Sequence, residues 1–205
     1  MMNITFGKYV SHWINNTPRR LLFALSYYKF AANLIGGNKK ILDIGCNEGL
    51  GTYLLSQKCG YAKGLDFDKD AIQIAKNNYN FSNIEFADTD FLKTNEENKW
   101  DAIVNFDVIE HIMPKNADIF LKKIQIALKN NGLLIVGTPS LISQQFASEV
   151  TKKGHINVYT HDRLEAEIKK HFKYVFLFSC HDELVHTGFL PMANYYISIG
   201  CGKKD

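Results

Sequence analysis

Apolar positions along most of the chain follow two alternating periods, and this pattern predicts an α/β fold. Short continuous apolar runs indicate buried strands, and apolar residues three or four positions apart indicate helices between them. Because strand and helix alternate, we expect right-handed crossovers and a mostly parallel sheet with helices on both faces. The predicted strands are residues 41–44, 62–65, 84–86, 102–106, 133–137, 174–178 and 195–199, and the predicted helices are 49–57, 69–78, 117–128 and 163–171.

The two ends of the chain depart from this alternation. Residues 1–17 show no clear period, whereas Thr17 and Pro18 begin a helix that a double glycine ends at residues 36–37. We expect residues 1–37 to be an N-terminal helical lid and residues 38–205 to be a single domain. The polar face of the helix is not densely basic, so we expect it to pack on that domain rather than on a membrane surface. The last two strands have no helix between them, which predicts an antiparallel hairpin at one sheet edge.

Composition and charge narrow the class of protein. Of the 205 residues, 46% are hydrophobic and 22% are charged, which is typical of a globular chain. A net charge of +3 is too small to indicate nucleic acid as a partner, and no apolar run has the roughly 18 residues that span a bilayer. The four cysteines lack zinc-site spacing. We therefore expect a cytoplasmic monomer or homodimer with a small-molecule partner, no nucleic acid and no membrane insertion.

A glycine-containing turn follows the first predicted strand. Gly45 and Gly49 have no side chain to keep the backbone away from a ligand. Asp43 would repel the pyrophosphate of a dinucleotide but would attract a cationic ligand. Asp66 stands 21 residues after Gly45, at the end of the second strand, where an acid accepts hydrogen bonds from ribose hydroxyls. These positions predict a positively charged nucleoside cofactor.

The same positions resemble the class I S-adenosylmethionine-dependent methyltransferase family, in particular its small-molecule methyltransferases. The resemblance rests on residues 41–49, 64–68, 87–88, 101–111 and 131–137. It implies a Rossmann-like, seven-stranded, mostly parallel sheet with an antiparallel C-terminal hairpin, with S-adenosylmethionine as cofactor and S-adenosylhomocysteine as product. The implied cofactor-binding residues are Asp43, Gly45, Cys46, Asn47, Gly49, Asp66, Phe67, Asp88, Thr89, Asn105 and Phe106.

One position departs from the pattern of the family. Asn47 stands where glycine is commoner. Asparagine tolerates left-handed backbone angles better than most residues do, so we expect the turn to be kept.

Candidate catalytic residues follow later strands. Methyl transfer depends largely on positioning, and a general base is needed only when the acceptor is a protonated group. His111 is a candidate base, although it can equally shape its own loop. His155 and Tyr159 are candidates for the acceptor pocket, or they fix the entry to the next helix.

A second group of polar residues lies between the last two predicted strands. It contains two histidines and two acids, but their spacing matches no standard ligand motif, so we predict a solvated polar loop and no metal site. The residues are His181, Asp182, Glu183 and His186.

The leading functional prediction is O-methylation of a small polar metabolite or saccharide precursor. Resemblance of the C-terminal segment to methyltransferases of bacterial surface-saccharide pathways points towards polysaccharide modification. An NAD-dependent oxidoreductase is the first alternative, disfavoured by Asp43 and by the absence of G-x-G-x-x-G. A non-catalytic S-adenosylmethionine-binding domain is the second, and it stays open because the sequence does not identify the base.

Overall fold

The computed structural model describes residues 4–204, so residues 1–3 and 205, the outer ends of the two predicted segments, lie outside the described part of the chain. The chain forms two compact units, one ending at Thr94 and the other beginning at Asn95. The predicted boundary after residue 37 lies inside the first unit and stays a prediction. Within residues 4–204, no helix combines the length and the apolarity that crossing a membrane requires.

The first unit contains a three-stranded parallel sheet in which β2 lies between β1 and β3. The register pairs Asp43 with Gly64 and Asp66 with Asp88, so the predicted cofactor-binding acids lie at the carboxyl ends of the strands. The elements are α1 (Lys8–Asn16), α2 (Pro18–Ile35), β1 (Lys40–Ile44), α3 (Leu50–Lys58), β2 (Tyr61–Asp66), α4 (Lys69–Asn78) and β3 (Ile84–Asp88).

Helix α2 packs inside the first unit, as predicted. It begins at Pro18 and ends before Gly36, whose φ of 75° suits glycine. Tyr27 and Tyr28 are buried. A Cβ atom on Gly51, in α3, would lie 2.0 Å from the ring of Tyr28. The close approach of α2 and α3 therefore requires glycine at this position.

Helix α1 lies in a part of the chain where the sequence shows no clear period. Residues 8–16 are helical, although the residue before them is Gly7, which has no side chain to cap the helix. The amino end of α1 is instead bound by a carboxylate from a distant part of the first unit, that of Glu48. A contact between residues about forty positions apart leaves no trace in local periodicity.

The second unit contains parallel strands β4 and β5, followed by antiparallel pairs of β5 with β8, β8 with β6, and β6 with β7. The predicted antiparallel C-terminal strands are therefore confirmed. The elements are β4 (Trp100–Phe106), α5 (Pro114–Ala127), β5 (Leu128–Pro139), α6 (Glu149–Gly154), α7 (His161–Lys169), β6 (Phe172–His181), β7 (Leu184–His186) and β8 (Tyr195–Lys203).

The number of strands differs from the prediction. Residues 4–204 contain eight strands rather than seven, because β7 was missed. The polar loop predicted to contain His181 and His186 is wrong in part: β6 continues to His181, and β7 returns alongside it. Asp182 makes this tight turn with a φ of 48°. Three-residue strands give too short an alternation to be recognised from sequence.

Candidate functional site

The turn after β1 has the left-handed backbone that its sequence predicts. Gly45, Asn47 and Gly49 have φ values of 79°, 52° and 82°. Asn47 therefore keeps the turn, as expected. A Cβ atom on Gly49 would lie 2.7 Å from the ring of Phe86, so no larger residue fits there.

Asp66 connects the end of β2 to this turn. Its Oδ2 accepts a hydrogen bond from the amide of Asn47 at 2.9 Å, and its Oδ1 accepts one from the amide of Asp68 at 2.9 Å. A carboxylate has about four acceptor sites, so both oxygens keep capacity for a ligand hydroxyl. Two backbone bonds therefore hold Asp66 in one orientation at the strand end.

The groups beside Asp66 fit an adenosine-type cofactor. Phe67 follows it directly, and its side chain is 83% exposed. Asp88 is exposed at the end of the neighbouring strand β3, and the amide of Thr89 donates to the carbonyl oxygen of Asp66 at 2.8 Å. An aromatic face and two strand-end carboxylates are groups that a nucleoside can stack on and hydrogen-bond to. The residues present in this unit therefore fit S-adenosylmethionine.

Asp43 lies inside the unit, fully buried. Its Oδ2 accepts a hydrogen bond from Oγ1 of Thr52 at 2.6 Å, and the hydroxyl of Tyr28 lies 3.2 Å from both carboxylate oxygens. Burial raises the pKa of Asp43 to about 7, against the lowering effect of the hydrogen bonds from Thr52 and Tyr28. The predicted attraction of Asp43 for the cationic end of the cofactor stays a prediction.

Cys46 has its thiol in the core rather than on the surface of the turn. A Cβ atom on Gly64 would lie 2.7 Å from its Sγ, which shows how closely the thiol packs on β2. Burial raises the pKa of Cys46 well above its usual value. The side chain therefore stays protonated and fills space beneath the turn.

Glu48 is a residue of the turn that the sequence analysis missed. It is buried, and its carboxylate accepts hydrogen bonds from the amides of Gly7 at 3.0 Å, Tyr9 at 2.7 Å and Val10 at 3.3 Å. The hydroxyl of Tyr9 also donates to Oδ2 of Asp68 at 3.0 Å. These bonds hold the amino end of α1 against the turn. A negative charge at the amino end of a helix also interacts favourably with the helix dipole.

The second unit contains two residues that were predicted to bind the cofactor. Asn105 and Phe106 end β4, and both are buried. Asp107 follows with a φ of 56°, and its amide donates to the carbonyl oxygen of Gly137 at 3.0 Å. Their contact with the cofactor stays a prediction.

His111 and His155 are brought together in the second unit. Their ring centroids are 4.9 Å apart, and the rings meet edge to face. Nδ1 of His111 lies 2.8 Å from the carbonyl oxygen of Gly154, and Nδ1 of His155 lies 3.1 Å from Oε1 of Gln144. Because these oxygens only accept, each Nδ1 carries a proton, and the neutral form of each ring would have its lone pair on Nε2.

Asn157 joins the segments that carry the two histidines. Its amide donates to the carbonyl oxygen of Glu110 at 3.0 Å, and its Nδ2 donates to the carbonyl oxygen of Ile109 at 3.3 Å. Arg163 donates in turn to Oδ1 of Asn157 and to the carbonyl oxygen of Val158. The turn at Ile109–His111 and the segment after α6 are therefore held in one arrangement.

Tyr159 is hydrogen-bonded inside the second unit, and its role in the acceptor pocket stays a prediction. Its ring is fully buried, and its hydroxyl donates to Oε2 of Glu167 at 2.9 Å while accepting from Nδ2 of Asn157 at 2.7 Å. Burial raises the pKa of Tyr159 well above its usual value. The side chain is thus a poor proton acceptor and a good anchor for the segment.

The other histidine pair fixes the C-terminal hairpin. Nδ1 of His181 lies 2.9 Å from Nε2 of His186, and Nε2 of His181 lies 2.9 Å from the carbonyl oxygen of Met192. The amide of Gly188 donates to Nδ1 of His186 at 2.8 Å. These contacts form a continuous chain of hydrogen bonds across the hairpin. Asp182, at the turn of the hairpin, is exposed.

Comparison with known proteins identifies the family. The sequence profile of a family described as methyltransferase domain matches residues 35–188. The ubiquinone biosynthesis O-methyltransferase of Pelagibacter ubique (strain HTCC1062) is 30% identical over 105 residues, which are 49% of this chain and 42% of that protein. The chain thus spans less than half the length of this relative.

Solved structures of methyltransferases share the fold. A chain of the complex between the Haloferax volcanii Trm112 methyltransferase activator and the putative methyltransferase gives a TM-score of 0.75 at 12% identity, covering 98% of this chain and 100% of that chain. The N-methyltransferase NodS from Bradyrhizobium japonicum WM9, in complex with S-adenosyl-L-homocysteine, gives 0.70 at 17% identity, covering 92% of this chain and 90% of that chain. The Rossmann-like fold is confirmed, and the oxidoreductase alternative is not supported. Because the family profile matches well over half of its residues, the chain belongs to the class I S-adenosylmethionine-dependent methyltransferase family.

Proposed function

We propose that this chain transfers a methyl group from S-adenosylmethionine to an oxygen of a small polar metabolite. The observation that carries the proposal is the Asp66 carboxylate, held at the end of β2 by the amides of Asn47 and Asp68 beside the exposed ring of Phe67. This arrangement supplies hydroxyl acceptors and a stacking surface at one strand end. Support for an oxygen acceptor comes from the relative that is named an O-methyltransferase.

Each cofactor-binding side chain in the first unit has a proposed role that follows from its chemistry. Asp66 accepts hydrogen bonds from the ribose hydroxyls, Phe67 packs on the adenine, and Asp88 accepts from the adenine amino group. The turn between Gly45 and Gly49 leaves its backbone open to the methionine part. When bound, the cofactor supplies an electrophilic methyl group on a sulfonium, so the work of the protein is orientation and exclusion of water.

A proton acceptor is needed if the methylated group is a hydroxyl, and two candidates lie in the second unit. The new carbon–oxygen bond forms as the carbon–sulfur bond breaks, and the hydroxyl loses its proton. In its neutral form, each of His111 and His155 has the lone pair on Nε2, because the Nδ1 protons are bound by Gly154 and Gln144. Either Nε2 atom can take the proton as a general base.

Two classes of acceptor follow from different observations. The sequence favours a saccharide precursor, whereas the name of the relative points to a phenol of the kind found among quinone precursors. Both carry a hydroxyl, so the geometry of the histidines serves either. An assay must therefore contain both classes.

The test is a methyl-transfer assay with labelled S-adenosylmethionine and a panel of sugar nucleotides, free sugars and dihydroxybenzoate derivatives. We expect labelled product and release of S-adenosylhomocysteine with one class. The variant His111→Ala should lower turnover at least tenfold with little change in cofactor affinity. The variant His161→Ala serves as the matched control, because His161 instead contacts Asp162.

Two assay results would contradict parts of the proposed function. Cofactor binding without methylation of any panel member would favour the non-catalytic binding domain over the proposed enzyme. Equal turnover in wild type and His111→Ala would remove His111 from proton transfer.

A further inference from the structure

We propose that Glu110, His111 and His155 form a binding site for a divalent transition-metal cation. One ligand atom from each of these three side chains lies within 4.8 Å of the ligand atoms of the other two. Zinc ligands sit about 2.0–2.2 Å from the metal. Two ligand atoms of one ion are therefore at most about 4.4 Å apart, so movements small enough to keep the existing hydrogen bonds close the three ligands around one ion.

The tautomers of both histidines suit metal binding. A histidine that ligates a metal through one ring nitrogen normally donates the proton on the other to a carbonyl or carboxylate oxygen. His111 does so with the carbonyl oxygen of Gly154 at 2.8 Å, and His155 with Oε1 of Gln144 at 3.1 Å. In the neutral form each ring therefore has its lone pair on Nε2, and the hydrogen bond of Nδ1 orients the ring before an ion arrives.

Glu110 supplies the third ligand from the protein interior. It is fully buried, and its Oε2 accepts a hydrogen bond from Oγ1 of Thr138 at 3.0 Å. A carboxylate that ligates a metal is normally held by a hydrogen bond of its own. Thr138 would therefore orient the Glu110 carboxylate towards a bound cation.

The backbone around the three ligands is already assembled. Asn157 binds the carbonyl oxygens of Ile109 and Glu110, which places the segment carrying His155 against the turn carrying His111. A site held in place before metal binding loses little conformational entropy when the ion is bound.

The donor set selects the class of cation. Two imidazoles and one carboxylate suit zinc, iron(II) and similar ions, whereas magnesium and calcium prefer oxygen ligands alone. Three protein ligands also leave coordination positions open. Zinc is the appropriate probe because it has no redox chemistry that would complicate the measurement.

The inference deepens the proposed function, and its catalytic consequence rests on that function. An acceptor hydroxyl at an open coordination position would have a lowered pKa and would lose its proton to solvent near neutral pH. In that case His111 and His155 hold the cation instead of receiving the proton. The same chemistry favours acceptors with two adjacent oxygens, such as a catechol or a vicinal diol, which can chelate.

Calorimetric titration of zinc into the metal-free protein tests the site without relying on activity. We expect one ion per chain, with affinity at least tenfold lower in His111→Ala, His155→Ala and Glu110→Gln. The exposed His12→Ala is the matched control and should bind zinc as the wild type does. Cobalt(II) should give visible ligand-field absorption in the wild type that is lost in His111→Ala.

Absence of zinc binding, or loss of binding in His186→Ala with retention in His111→Ala, would overturn the proposed site. The side chain of His111 is exposed, so His111→Ala decides the question even if a variant at the buried Glu110 does not fold.

The metal site and the proposed function can be contradicted independently of each other. Methyl transfer without metal binding overturns the metal site alone, and metal binding without methyl transfer with any acceptor overturns the proposed function alone.

Discussion

The hydroxyl of Thr52 donates a 2.6 Å hydrogen bond to Oδ2 of Asp43, in a part of the first unit where neither side chain is exposed. Tyr28 adds a hydroxyl at 3.2 Å from both carboxylate oxygens. These bonds favour the ionised carboxylate, but burial opposes it more strongly and raises the pKa of Asp43 to about 7. The charge beneath the cofactor-binding turn therefore depends on pH in the neutral range.

Replacing Asp43 should alter how stability varies with pH. The folded state keeps the Asp43 proton up to about pH 7, whereas the unfolded chain releases it near pH 4. Between these values the folded state binds more protons, so Asp43 makes the free energy of unfolding fall as the pH rises. We expect Asp43→Asn to remove this contribution, which is on the order of 4 kcal/mol across the interval.

Denaturant unfolding at pH values from about 4 to about 8 measures the effect. The exposed Asp162→Asn is the control and should keep the wild-type slope. Identical slopes in Asp43→Asn and wild type would show that burial does not raise the pKa of Asp43.

Substituting Gly51 should destabilise the first unit. Alanine is normally favoured over glycine in a helix by about 0.5–1 kcal/mol, but a Cβ atom here would lie 2.0 Å from the ring of Tyr28. The clash with Tyr28 costs more than the helix propensity of alanine contributes. We therefore expect Gly51→Ala to lower the free energy of unfolding by about 1–3 kcal/mol. The control is Gly37→Ala, where the nearest neighbouring atom is 3.9 Å away. Equal stability of the two variants would contradict the packing of α2 on α3.

Loss of the Glu48 carboxylate should release α1. Three backbone amides at the amino end of this helix donate to Glu48, and hydrogen bonds to a charged group contribute about 1.5–3 kcal/mol. We expect amide hydrogen exchange in residues 8–16 to become at least tenfold faster in Glu48→Ala, as measured by mass spectrometry. The exposed Glu149→Ala should leave exchange in these residues unchanged. Unaltered protection in Glu48→Ala would mean that other contacts hold the helix.

Elements with a long apolar period were predictable from the sequence. Helix α4 has the predicted bounds, because Asp68 caps it and its apolar residues recur on one face. Strand β1 begins one residue earlier than predicted, and β2 is one residue longer at each end. Helix α1 and strand β7 were missed, since the first depends on the distant Glu48 and the second has three residues.

Those features of the candidate site that depend on local backbone conformation were predictable from the sequence. The left-handed φ of Asn47 and the strand-end position of Asp66 follow from residue type and spacing. The burial of Asp43 beneath Thr52 and Tyr28 depends on how helices pack, which the sequence does not show. Glu110 adjoins His111 in the sequence, but only the folded chain brings His155 to the pair.

The Asp66 carboxylate is the proposed hydrogen-bond acceptor for the ribose hydroxyls of S-adenosylmethionine, and the proposed cofactor site depends on it. Calorimetric titration with S-adenosylmethionine, S-adenosylhomocysteine and NAD measures this in wild type, Asp66→Ala and the exposed control Asp70→Ala. We predict binding of the first two ligands and not of NAD, with a loss of about 1.5–3 kcal/mol in Asp66→Ala and none in the control. Preference for NAD, or unchanged affinity in Asp66→Ala, would contradict the account.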